Sequence, residues 1–140
     1  MRAKQRRTAA EVFVDGIAAR LTPLGPIASR RLFSGFGLYL EDTIFAIAVR
    51  GRLFLKVDDK NRLDFVRRGF AQLTYEGRSG VVGLPYWEVP SAIIDDPRAL
   101  RRWARKAHAA GVRAKERKVR GSLPRQYPPA GARASLAPDA

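Results

Sequence analysis

At 140 residues the chain is long enough for one domain with a buried core, and its net charge of +14 makes it strongly basic. It has no cysteine, which excludes disulfides, thiolate zinc sites and a cysteine nucleophile together. A 46% hydrophobic fraction argues against wholesale disorder, and no run approaches the roughly 18 apolar residues of a membrane span. The basic start has no apolar core behind it, so no secretory signal is expected and the cytoplasm is the expected location.

Thr8-Ala-Ala-Glu11 has the form of a capping box, and Phe13, Ile17 and Leu21 recur behind it at helical spacing. Pro23-Leu-Gly-Pro26 ends that helix. Gly37-Leu-Tyr-Leu40 and Thr43-Ile-Phe-Ala-Ile-Ala-Val49 then read as strands flanking the two-residue turn Glu41-Asp42. Arg50-Gly51 turns the chain into a third strand, Arg52-Leu-Phe-Leu-Lys-Val57. Alternation predicts Leu38, Leu40, Phe45, Ile47, Val49, Leu53, Leu55 and Val57 on one face. It leaves Tyr39, Ala46, Ala48, Arg52, Phe54 and Lys56 on the other.

Asp58-Asp59 is expected to cap a short helix through Arg68, with Leu63 and Val66 inward and Gly69 as its stop. Gln72-Leu-Thr-Tyr75 and Pro85-Tyr-Trp-Glu-Val89 are two further strands, joined through Gly77-Arg-Ser-Gly80. Asp96-Pro97 opens the last helix, expected to run to about Gly111 and at most a turn further. The predicted order is α-β-β-β-α-β-β-α, an α+β fold of two layers with helices on one face of an antiparallel sheet. The expected organisation is a basic arm over 1–7, a domain over 8–111, and a basic, proline-, alanine- and glycine-containing flexible tail over 112–140.

The excess charge is segregated. Thr8–Pro97 holds 11 basic and 11 acidic residues, whereas Arg98–Arg125 holds 11 basic residues against Glu116 alone. At about 100° per residue, Leu100, Trp103, Ala104 and Ala107 form one stripe of the last helix. Arg98, Arg101, Arg102, Arg105 and Lys106 fall on the roughly opposite arc. Arg113, Lys115, Arg117, Lys118 and Arg120 continue the basic run. These ten residues are the candidate contacts for nucleic-acid phosphates, expected to bind with little sequence preference. A solvated basic face is the plainer reading of the same pattern.

Other motifs carry less. Ser34-Gly-Phe-Gly37 contains GxG but precedes a strand, so a turn or bulge that needs glycine accounts for it. His108 is the single histidine and is expected at the surface, with no metal site and no cofactor. The acidic pairs suit turns and caps, and no catalytic set emerges, so the chain is expected not to be an enzyme. Tyr39, Phe54 and Tyr86 on the second sheet face are candidates for an interface, by dimerisation or by stacking on bases.

Five stretches in order resemble one family. Leu32-Phe-Ser-Gly-Phe-Gly-Leu-Tyr-Leu40 is similar to its "MFGGYGLYL" strand, Arg52-Leu-Phe-Leu-Lys-Val-Asp58 to its "RLYLKVD", and Leu73-Thr-Tyr-Glu76 to its "FTYE". Pro85-Tyr-Trp-Glu-Val-Pro90 and Asp95-Asp-Pro97 with Leu100, Trp103 and Ala104 resemble its "YYEVP…EDPEELLEWA". The family is the TfoX N-terminal domain, and the resemblance covers about residues 8 to 110. It implies a two-layer antiparallel fold and a role in bacterial transcription of DNA-uptake genes alongside the catabolite-activator protein. It supplies no catalytic residues. Two functions are thereby expected to compete: a DNA-associated regulator using the basic helix and tail, or an adaptor that dimerises or docks on a transcription factor.

Overall fold

A computed structural model of the chain describes residues 7–32, 34–119 and 133–135. The chain folds as α+β. Helix α1 (Ala9–Arg20) leads through a 3-10 turn (Thr22–Leu24) into strands β1 (Ile27–Leu32), β2 (Gly35–Leu40), β3 (Thr43–Val49) and β4 (Arg52–Lys56). Then follow α2 (Arg62–Arg67), β5 (Ala71–Gly77), β6 (Gly80–Val89), α3 (Ser91–Ile94), α4 (Pro97–Val119) and the short β7 (Arg133–Ser135). The sheet order is β1-β2-β3-β4-β6-β5-β7, antiparallel except where β7 joins β5. The four α-helices contribute to a core on one sheet face.

The local signals act as their chemistry requires. The Thr8 hydroxyl accepts from the Glu11 N–H at 3.1 Å, and the Glu11 carboxylate accepts from the Thr8 N–H at 2.9 Å. Asp96 Oδ1 accepts from the N–H groups of Arg98 and Ala99, starting α4. Glu41 and Asp42 take φ of 52° and 60°, the left-handed pair that a tight two-residue hairpin demands. The glycines of Ser34-Gly-Phe-Gly37 lie inside β2, and neither has positive φ. Gly35 is there because a Cβ would run into the Ala48 carbonyl of the neighbouring strand.

Three elements lack the expected pattern. β1 carries four exposed residues out of six, so as an edge strand it shows no apolar alternation. The 3-10 turn and α3 are too short for periodicity to show. In β3 the alternation slips. Leu38 pairs with Ala46 but Tyr39 pairs with Ile44, which leaves Phe45 as the extra residue of a β-bulge. Phe45, Ala46 and Ala48 therefore join the helix-covered core, while Ile47 and Val49 pack on the second face with Phe54 and Leu73. This corrects the expected sides of Ala46, Ile47, Ala48 and Val49.

Helix α2 also turns differently. Phe65 is its buried residue, and Leu63 and Val66 are exposed. An aromatic set explains the choice: Phe65 and Phe70 each lie 5.0 Å from Trp103 edge to face, and Trp87 lies 6.4 Å from Phe65. Trp103 is 4% exposed and Leu100 fully buried, each contributing about 1.5–3 kcal/mol by burial.

Candidate nucleic-acid interface and the two halves of α4

Helix α4 runs unbroken to Val119, past the expected stop near Gly111. Gly111 does not end the helix; it lets the helix touch the sheet. A Cβ there would lie 2.5 Å from the Ile44 carbonyl oxygen and 2.8 Å from Thr43 Cγ2. α4 packs across β3 and β4, with Ala99, Leu100, Trp103, Ala104, Ala107 and Ala110 inward. Its phase relative to the sheet then decides what each cation can do.

Arg98, Arg102 and Arg105 occupy the outward stripe of the first half and are exposed. Arg101 and Lys106 flank them and are committed to the fold. Arg101 donates to the Arg20 carbonyl at 3.2 Å, closing the C-terminus of α1, and Lys106 pairs with Asp64 at 3.0 Å.

Arg113 is committed further. Its Nε and Nη2 donate to Asp58 Oδ2 and Oδ1 at 2.6 and 2.9 Å. The Asp58 side chain is only 3% exposed. Asp58 Oδ1 also accepts from the N–H groups of Lys60 and Asn61. Burial pushes the Asp58 carboxyl upward, but the Arg113 hydrogen bond and the two backbone donors outweigh it, holding it below its ordinary value. Asn61 completes the clamp by donating to the carbonyls of Lys56 and Lys106. Asp58 thus serves a buried ion pair and a tight turn and not the expected helix cap: α2 starts at Arg62, with Asn61 at its N-cap position and no side-chain cap hydrogen bond.

Lys115, Arg117 and Lys118 line a cleft between the end of α4 and the sheet, and Arg120 lies outside the described residues. His108 is not the expected free surface histidine. Its Nε2–H donates to the Leu40 carbonyl at 3.1 Å and its ring meets Phe45 edge-on. Among the described residues no cluster of histidine and carboxylates could hold a metal ion.

The second sheet face also divides. Phe54 is fully buried within the chain, packed with Val49 and Leu73, so it cannot present a surface. Tyr39 and Tyr86 are half-buried, with Arg30 4.7 Å from the Tyr39 ring centroid and Lys56 5.1 Å from that of Tyr86. Burial, followed by the nearby Tyr39, pushes the Tyr86 hydroxyl up to about 12. The sequence pattern missed Asp58, Asn61 and Lys56 as members of a site. The Asp58-x-x-Asn61 spacing, which suits an Asx turn, was the available signal.

Among the described residues no helix is long and apolar enough to cross a membrane. Residues 19–111 match a family model described as the TfoX N-terminal domain. The chain is also similar to "Protein Sxy" of Escherichia coli (strain K12), 32% identical over 73 residues, which is 52% of this chain and 35% of that protein. It therefore spans about a third of the length of that curated relative. The match takes in β1 to β6 and α2, α3 and most of α4, the elements that build the core and aim the arginines, and the chain belongs to the TfoX N-terminal domain family.

Proposed function

We propose that the protein is a small, non-catalytic bacterial regulator that acts in the cytoplasm, in transcription linked to competence, and associates with DNA through the outward face of α4. The observation that carries this reading is the stripe of Arg98, Arg102 and Arg105, exposed on a helix whose opposite side is locked into the core. A rigid row of guanidinium groups releases counterions on meeting phosphates and binds without reading base edges. An adaptor role keeps a narrower basis, because Phe54 is used internally and only Tyr39 and Tyr86 of that set reach the surface.

The test is duplex binding by fluorescence anisotropy at several salt concentrations. Replacing Arg98, Arg102 and Arg105 together by Gln should reduce the slope of log affinity against log salt by about 2–3, equally for unrelated sequences. Unchanged affinity and slope would remove α4 from the interface. A docking surface for a protein partner would instead show weak salt dependence.

A further inference from the structure

The cations in the last two turns of α4 do not continue the outward stripe. They turn toward the sheet, where a cleft of about 330 Å³ lies between the end of α4 and the sheet. Lys56 enters it from β4, and Lys115, Arg117 and Lys118 enter it from α4. Tyr39, Ile44 and Ala114 supply aromatic and apolar wall. The carboxylate in the lining is Asp42, whose backbone carbonyl accepts from Lys115 Nζ at 3.3 Å.

From this geometry we infer that the cleft is a binding site for a small organic phosphate with an apolar or aromatic body, of about the size of a nucleoside monophosphate. Four cations from two elements line one half-open cleft, and its volume falls in the range of small-molecule sites. Lys56 is the informative member. Among the described residues it has no carboxylate in ion-pair contact, and it rests against the Tyr86 ring. Burial first, and then the positive charge of Arg117, push its ammonium below the ordinary lysine value, with Asp58 opposing them weakly. A lysine held in that way gains from an anion that neutralises it together with Arg117. The apolar wall favours an organic phosphate over the bare ion.

The same chemistry could arrive free in solution or as the terminal phosphate of a nucleic-acid strand. The inference does not depend on the DNA reading, since Arg98, Arg102 and Arg105 lie on the other side of α4.

The full chain should be titrated by calorimetry with adenosine monophosphate, inorganic phosphate and a short 5′-phosphorylated single strand. Adenosine monophosphate should bind saturably and more tightly than inorganic phosphate. Lys56→Gln and Arg117→Gln should each weaken it by about tenfold, as expected for loss of a charge-assisted hydrogen bond. Replacing Arg98, Arg102 and Arg105 by Gln should leave it unchanged. Saturable binding of the strand alone, equally dependent on Lys56 and Arg117 and lost without its 5′-phosphate, would assign the phosphate to a strand end. Thermal melting guards against misfolding: Lys56→Gln should melt at or above wild type without ligand, and should gain less stability than wild type from the same concentration of adenosine monophosphate. No saturable binding of any probe, or binding indifferent to both substitutions, would overturn the site.

Discussion

The two halves of α4 hold arginine and lysine at similar density, yet they use them in opposite ways. In the first half Arg98, Arg102 and Arg105 stand outside a core-facing stripe of Leu100, Trp103, Ala104 and Ala107. In the second half Arg113 clasps a buried carboxylate while Lys115, Arg117 and Lys118 face the cleft. Composition is alike; the phase of the helix against the sheet differs. A count of positive charges therefore overstates the cations available to a polyanion on any one side.

The comparison breaks most completely if the shared anchor fails. Trp103→Ala should destabilise the fold by about 3–5 kcal/mol, read as a shifted denaturation midpoint with unchanged slope. Both halves would then lose their register. Trp103→Phe sharpens this point, because the buried Trp103 Nε1 has no hydrogen-bond partner among the described residues. Phe removes that unmatched donor along with part of the ring, so it should cost less than half as much as Ala.

Arg113→Ala attacks the second half alone. It leaves the Asp58 carboxylate buried without its guanidinium and should cost about 3 kcal/mol near neutral pH, the lower end for a buried pair because Arg113 is 27% exposed. The sign with pH follows from linkage. Asp58 is held below its ordinary value of 3.8 in the folded protein, so its stabilisation is present above that value and fades as pH falls through the folded one. In the variant burial still pushes the carboxyl upward while only the Lys60 and Asn61 N–H groups oppose it, so its value lies above that of the wild type. The stability gap between the two proteins should accordingly be widest at neutral pH and close progressively in acid, measured by urea denaturation between pH 7 and 3.

Gly111→Ala tests whether the join between the halves is a contact and not a hinge. Helix propensity alone favours Ala by about 1 kcal/mol. The Cβ would press on the Ile44 carbonyl, so the net effect should be a loss of about 1–3 kcal/mol in thermal or chemical denaturation. A gain in stability would mean that the helix does not approach β3 so closely. The smallest effect belongs to the outward stripe: Arg98→Gln and Arg102→Gln should each change stability by no more than about 0.5 kcal/mol.

What the sequence made legible follows the range of each signal. Caps, tight turns and the Leu100–Trp103 stripe depend on neighbours within a few residues, so Thr8, Glu41-Asp42 and Asp96 could be read directly. The α+β class and the outward arcs of α4 followed from period alone. Three kinds of information were not local. The extra residue in β3 depends on the partner strand, so Ile47 and Val49 were assigned to the wrong side. The facing of α2 depends on where Trp87 and Trp103 arrive from distant segments. The partners of Arg101, Lys106 and Arg113 lie 81, 42 and 55 residues away, so a wheel could place these cations on an arc without revealing that they were already engaged.

The bulge at Phe45 has a consequence beyond side-chain placement. β2 spans six residues and β3 seven, and a hairpin whose two rails differ in length must curve, as a bent railway track does. The curve carries the hairpin tip, and two of its carbonyl oxygens dock on α4: that of Leu40 on His108 and that of Asp42 on Lys115. The one surplus residue thus lies in the same hairpin whose tip is pinned to α4 beside the cleft lined by Lys56 and Arg117.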